Sequence, residues 1–324
     1  MPGENTTEKL LHPSVEAAAV FAAINIAFSV TASLGNVIIL LALHKVTSIH
    51  SPTKVLLQCL VVTDLCVGLI SQPLYATSLV NAGIANFDMN IFRYVTRLIL
   101  PMSALVLCGV SLATSAAISV DRLLALFLGL NYRYVATLRR VRGVLVFIWF
   151  INGTLAVCAF ISHISIHLYN LCQLISLVIS AFSYTNIYIR LRHKLQYVQN
   201  HPPEQKPASN SVASTALNVA RYKKTVSTIA WVQLGLISCY LPICVASFLQ
   251  YRGKFRQIPF IHSFLSLLYF NSSLNPILFC WKIREVKQAV KAIIRDLNCV
   301  FGDRFESGKD EKNKKANKPS TEKK

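Results

Sequence analysis

Seven stretches of the chain stay apolar over the length a bilayer demands, and short polar, charge-bearing segments separate them. A helix crossing about 30 Å of hydrocarbon needs about 20 residues. Charge-poor windows of that order fall at 17–43, 55–80, 98–120, 143–166, 168–189, 225–249 and 258–281. The pattern predicts an all-α membrane protein, a seven-transmembrane helix bundle with its termini on opposite sides. Past the last window, Val286, Val290, Ile293, Ile294 and Leu297 recur at helical spacing among Lys287, Lys291 and Arg295. That predicts a short amphipathic eighth helix on a membrane face, roughly perpendicular to span seven.

Composition agrees with a membrane protein. With 53% hydrophobic and 15% charged residues over 324, too little charge remains to cover a soluble globule. The formal charge of +19 raises nucleic acid as a partner, but the basic residues follow topology instead. Of the 33 lysines and arginines, Lys9, Arg93, Arg97, Arg252, Lys254 and Arg256 lie on one side, and the remaining 27 lie in the alternate loops, the span ends facing them and the tail. The positive-inside rule then makes the C-terminus cytoplasmic and the N-terminus extracellular, as in a multi-pass plasma membrane protein with no nucleic-acid partner. A glycosylation sequon, Asn5-Thr6-Thr7, agrees with that orientation and makes Asn5 the glycosylation candidate. The first apolar run is too long for a cleaved signal peptide and reads as a signal anchor.

The resulting organisation is an extracellular N-terminus (1–16), a transmembrane domain (17–283), the amphipathic helix (284–297) and a disordered basic cytoplasmic tail (298–324). A long third cytoplasmic loop, about 195–221, carries Pro202-Pro203 and a Ser/Asn-rich run that cannot build a core. The lysine-rich tail is either simply solvated or drawn to anionic membrane lipids. The nine cysteines lack metal spacing, and those in the spans read as small buried hydrophobes. Cys299, beyond the amphipathic stretch, is a candidate for palmitoylation, with an unmodified thiol equally open.

One residue breaks the pattern. Asp64 lies in the middle of the second window, where a lone carboxylate costs at least about 3 kcal/mol and has to meet a cation or hydrogen-bond donors. Ser111, Asn271, Ser272 and Asn275 supply short oxygen-bearing side chains, which suit a hard cation such as sodium or a cluster of water; a network that merely glues helices is the plainer alternative. Pro242 and Pro276 each remove a backbone hydrogen bond and predict kinks that act as hinges, whereas Pro73 and Pro101 read as ordinary membrane-helix prolines. Asp121-Arg122 falls where span three ends, so the guanidinium can pair with its neighbour or swing to a partner; simple snorkelling is the alternative. No nucleophile, base and orienting acid assemble on one face, which excludes an enzyme. A transporter would need several deep ionisable residues or internal repeats, and neither is present.

These residues arrive in an order that resembles the rhodopsin-like (class A) G-protein-coupled receptors: Gly35-Asn36-Val37, Leu60 with Asp64, Asp121-Arg122-Leu123, Trp149, Tyr184, Cys239-Tyr240-Leu241-Pro242, and Asn271 through Asn275-Pro276-Ile277-Leu278-Phe279, each on its proper span. The resemblance implies a sodium pocket around Asp64 that collapses on activation. It also implies that Arg122 meets Tyr184 and a heterotrimeric G protein when span six moves outward, with arrestin as a further partner. The departures are specific. Arg97 stands where most members carry a disulfide-bonded cysteine, and the loop that would supply its partner is almost absent. Ser176 replaces the span-five proline. Together these are similar to the melanocortin, cannabinoid and adenosine group, and most nearly to the melanocortin receptors. Tyr240 replaces tryptophan, Phe279 replaces tyrosine, Leu123 replaces an aromatic residue, and Arg221-Tyr222-Lys223-Lys224 offers no acid to hold Arg122, so basal activity is expected to be high. Worn switch motifs leave a non-coupling decoy as the competing reading.

Ala104 stands where amine receptors carry aspartate and Tyr269 where opsins carry the retinal lysine, so neither monoamines nor light are expected. The candidate ligand positions are Arg97, Ala104, His163, His167 and Tyr269. The basic outer half favours an anionic or neutral ligand: a lipid, an anionic small molecule or a peptide.

Overall fold

The computed structural model describes residues 14–84, 94–200, 233–249, 261–296 and 298. Among them there is helix and no strand. Helix α1 is Val15–Lys45, started by Ser14, whose hydroxyl accepts from the Ala17 N–H at 3.3 Å. Helix α2 runs through Ser51–Cys66, a π turn at Val67–Ser71, and Gln72–Ile84. A second π turn, Val95–Ile99, leads into α3, Leu100–Leu128, followed by a 3₁₀ turn at Gly129–Asn131 and one helical turn at Tyr132–Val135. Helix α4 is Leu138–Ile161, α5 is His163–Asn200, α6 is Gln233–Leu249, α7 is Ile261–Lys282, and α8 covers 284–296.

Five of these segments are long and apolar enough to cross a membrane: Val15–Lys45, Ser51–Asn81, Val95–Val135, Leu138–Ile161 and Ser165–His193. The described part of α6 is apolar but shorter. Helix α7 has the length, yet Ser263, Ser266, Asn271, Ser272, Ser273 and Asn275 dilute its apolarity. Of these, Ser266, Asn271, Ser272, Ser273 and Asn275 hydrogen-bond to other helices, beside apolar contacts made by Tyr269 and Phe279.

Every residue from Leu107 to Leu112 is buried, so α3 is covered on all sides over this stretch, which sits at the centre of the bundle. Helix α4 buries only Leu145, Asn152 and Ala156 and stands at the periphery. Only Ser162, in extended conformation, separates α4 from α5. The expected outer loop Ser162–His167 is therefore the start of α5, which places His163 and His167 on its first turns. Helix α5 also continues to Asn200, past the expected loop start near 195. No proline or glycine occurs between Leu191 and Pro202 to stop it.

The prolines shape the backbone. In both π turns the wide-turn bond, Gln72 N–H to Val67 C=O and Leu100 N–H to Val95 C=O, comes immediately before a proline, Pro73 or Pro101, that has no N–H to give. These two prolines, read from the sequence as ordinary, therefore mark local unwinding; the first lies just beyond Asp64. Pro276 leaves the Ser272 carbonyl without its helical donor, and the Asn36 amide of α1 supplies one at 3.1 Å. Helices α1 and α7 touch there closely enough that a Cβ on Gly35 would lie 2.8 Å from the Pro276 ring, so only glycine fits.

Helix α8 turns Val286 and Ile293 into a cluster with Leu43, Leu56, Leu57 and Phe279, which accounts for the apolar spacing in its sequence. Ile294 is exposed, and Leu297 lies outside the described residues. The Lys45–Asp296 ion pair at 3.3 Å is solvent-exposed and adds little to this docking.

Candidate functional site

Asp64 is fully buried. Its Oδ1 accepts from the hydroxyls of Ser111 on α3 and Ser272 on α7, both at 2.9 Å, and its Oδ2 accepts from the Asn275 amide at 2.6 Å. One carboxylate thus ties α2, α3 and α7 together through three donors. Hydrogen bonds to a charged acceptor contribute about 1.5–3 kcal/mol each, which offsets much of the desolvation of the carboxylate. Asn271, grouped with Asp64 by sequence, lies elsewhere: its amide turns to the Tyr240 hydroxyl at 3.5 Å, and that hydroxyl donates to the Cys108 carbonyl at 3.2 Å. Ser272 and Asn275, three residues apart, share the face of α7 that meets Asp64, whereas Asn271 is rotated toward α6. Tyr240 is consequently a hydrogen-bonding link between α6 and α3, and Pro242 lies half a turn beyond it on α6.

The three oxygens at Asp64 Oδ1, Ser111 Oγ and Ser272 Oγ converge, and a hydroxyl that donates its proton to a carboxylate keeps lone pairs for a cation. Among the described residues no cluster of three or more His, Cys, Asp or Glu side chains is arranged to hold a metal. A cation here would therefore rest on one charge and neutral oxygens, the donor set that suits a hard monovalent ion.

At the far end of α3, Arg122 pairs with Asp121 at 3.2 Å; Asp121 is buried while the Arg122 side chain is 41% exposed. Two residues that the sequence reading missed complete this arrangement. Tyr132, in the helical turn after α3, donates to Asp121 Oδ1 at 2.5 Å, and Thr53 at the start of α2 donates to Oδ2 at 2.9 Å. The signal available in the sequence was weak, since neither residue adjoins Asp121-Arg122 and only the reversal at Gly129, with φ +52°, returns Tyr132 to α3. Removing the tyrosine hydroxyl frees one carboxylate oxygen. Tyr132→Phe is expected to raise ligand-independent signalling, measured as second-messenger level at matched surface expression, while Tyr132→His leaves a donor and a smaller change.

Arg122, Tyr184, Asn271, Asn275 and Phe279 line one cavity of about 310 Å³ between α3, α5, α6 and α7. Leu123 packs against Tyr184, taking the place an aromatic ring would hold. The cavity wall also holds Glu285 of α8, an acid the sequence reading did not connect with Arg122. Arg221 through Lys224 lie outside the described residues, as do Asn5 and Cys299.

At the other end of the bundle the candidate ligand residues are only partly gathered. Tyr269 is buried, its ring 5.4 Å from that of Tyr75, and Ala104 packs on the same cluster. Tyr75 in turn meets His262 Nδ1 at 2.9 Å, and Phe21 lies 6.0 Å from the His262 ring. Tyr75, His262 and Phe21 were not singled out from sequence, because aromatic residues in apolar spans carry no positional signal. Arg97 is exposed on the π turn before α3, and His167 is half-buried on α5, outside this cluster. The eight described cysteines, Cys172 among them, are all free.

A family described as 7 transmembrane receptor (rhodopsin family) matches residues 35–167, the segment holding Asp64, Ser111 and Asp121-Arg122. Over that segment the chain is similar to rhodopsin-family G-protein-coupled receptors. The chain is 21% identical over 316 residues to adenosine receptor A2a of Homo sapiens, covering 85% of this chain and 72% of the relative. It is 24% identical over 313 residues to adenosine receptor A3 of Canis lupus familiaris, covering 88% and 94%, and 23% identical over 300 residues to adenosine receptor A3 of Ovis aries, covering 84% and 88%. Adenosine receptors are one branch of the group the departures pointed to; these relatives add nothing to the narrower melanocortin reading. The likeness and the five long apolar helices make the chain a multi-pass membrane protein and not an enzyme.

Proposed function

We propose that this receptor binds an extracellular ligand at the Tyr75–Tyr269 end of the bundle and activates heterotrimeric G proteins at the Arg122 end through outward movement of α6. The observation that carries this reading is one cavity walled by Arg122 and Tyr184 together with Asn271, Asn275 and Phe279. It joins the surroundings of Asp64 to the surface where a signalling partner would dock. Sodium is the proposed ligand of Asp64 Oδ1, Ser111 and Ser272, with Asn275 holding Oδ2 and Asn271 outside the shell. In the proposed topology α1 to α7 are the seven spans, the charge bias makes the Arg122 end cytoplasmic, and α8 lies along the inner face. Arrestin would use the same end.

High basal activity follows in this account from Phe279, which has no hydroxyl with which to bridge water to Tyr184. Its ligand is anionic or neutral, a range that includes lipids, anionic small molecules, peptides and the nucleoside named in its relatives. The test is nucleotide exchange on purified heterotrimers added to vesicles containing the receptor, without ligand. Exchange above that of empty vesicles is expected; equal rates at verified orientation would favour the decoy reading.

A further inference from the structure

Two apolar furrows run along the outer side of α3, α4 and α5. The first, about 480 Å³, is walled by Ala113, Ala117 and Val120 of α3 and by Val144, Phe147 and Ile151 of α4. The second, about 350 Å³, continues between α4 and α5 past Phe150, Leu155 and Leu171. Ile151 and Cys172 line both, so the furrows follow one another along one seam. Small residues make the first: Ala113, Ala116 and Ala117, followed by Val120, fall on one face and leave that stripe of α3 with little bulk. Its rim faces away from the bundle, with Val144 47% and Phe147 62% exposed on a helix apolar enough to lie in hydrocarbon. Such an apolar space offers water too few partners to fill it.

The chemistry changes at the end nearest Asp121. Val135, Ala136 and Arg140 close the furrow there, and Arg139 and Arg142 flank Arg140 in the first turns of α4. Arg140 Nη1 donates to the Tyr134 and Val135 carbonyls at 3.4 and 3.1 Å, which uses one nitrogen of a five-donor guanidinium. Asp121, also in the wall, is already held by Arg122, Thr53 and Tyr132. From Arg140 to Ile151 the helix rises about 16 Å, close to half the ~30 Å hydrocarbon thickness and hence to one leaflet. A body one leaflet long, apolar throughout and negatively charged at its head, matches the furrow in length, lining and charge.

We propose that the seam of α3, α4 and α5 binds an anionic phospholipid, with one acyl chain in the furrow and its phosphate paired with Arg140. On the orientation argued above this is the inner leaflet, where anionic lipid concentrates. The chain touches Val120 and the Val135–Ala136 segment that follows Tyr132, so its presence steadies the turn that restrains Asp121.

The test is lipid retention, which does not require G-protein coupling. The full-length receptor is reconstituted in bilayers of phosphatidylcholine with one-tenth phosphatidylglycerol, extracted, and its bound lipids are counted by native mass spectrometry. Wild type is expected to retain phosphatidylglycerol about fivefold above its bulk share, the ratio for one basic contact at a membrane surface. Val144→Trp fills the furrow from its exposed rim without entering the core, and is expected to bring retention down to the bulk share. Arg140→Gln is expected to keep the number of bound lipids but lose the preference for the anionic head. Equal enrichment in wild type and both variants, no enrichment in wild type, or displacement of the phosphatidylglycerol by an equal fraction of sterol would each overturn the proposal.

Discussion

Asp64→Ala is expected to lower the unfolding temperature of the purified receptor by about 6 °C or more, the largest stability loss of any single substitution considered. The carboxylate is the common acceptor for Ser111, Ser272 and Asn275, and alanine leaves all three donors buried with nothing to bond. An orphaned buried donor costs about 1–3 kcal/mol, and three of them exceed what is regained by no longer desolvating a carboxylate, leaving a net loss of about 3 kcal/mol. At about 2–4 °C per kcal/mol, that is the stated fall. Asp64→Asn keeps one acceptor oxygen for the two serine hydroxyls but sets an amide against the Asn275 amide, so it falls between. Unfolding followed by thiol-reactive dye on the buried Cys108 and Cys239 gives the measurement. A wild-type unfolding temperature in Asp64→Ala would mean that α2, α3 and α7 are held together by something else.

Arg122→Ala is expected to do the reverse, leaving stability almost unchanged and removing coupling. Its side chain is 41% exposed and its ion pair with Asp121 is therefore worth little to folding, the more so because Thr53 and Tyr132 still satisfy Asp121. Yet it is the cation that lines the cavity where a partner's helix would enter. A charge-assisted hydrogen bond worth about 1.5–3 kcal/mol to the active complex corresponds to a roughly 10- to 100-fold loss of nucleotide exchange. Exchange rates on heterotrimers, compared at equal surface density and equal unfolding temperature, check this. Undiminished exchange would remove Arg122 from the coupling step.

Much of this arrangement was legible in the sequence because bilayer solvation is so restrictive. Asp64 could be singled out from its apolar surroundings alone, and short polar side chains on windows three and seven were the available partners; Ser111, Ser272 and Asn275 do meet it. The Asn271 amide faces Tyr240 and not Asp64, a distinction that spacing, which gives the helix face only to within about a quarter turn, does not make. Tyr132 and Thr53 were invisible for a different reason. Their contact with Asp121 depends on how the chain reverses at Gly129, a tertiary fact with no periodic signature. Helix ends misled in the same way: a loop was expected where composition turned polar near 195, but helix-forming residues carry α5 on to Asn200, just short of Pro202. The furrow beside α4 depends on which stripe of α3 faces outward, and alanine spacing alone does not say.

The most direct test of the Asp64 centre is the unfolding temperature of the purified receptor titrated with sodium chloride against an equal ionic strength of choline chloride, in wild type and in Asp64→Asn. The account predicts a sodium-specific rise in wild type and a flat response in the variant. A rise of equal size in both proteins, or none in wild type, would contradict it.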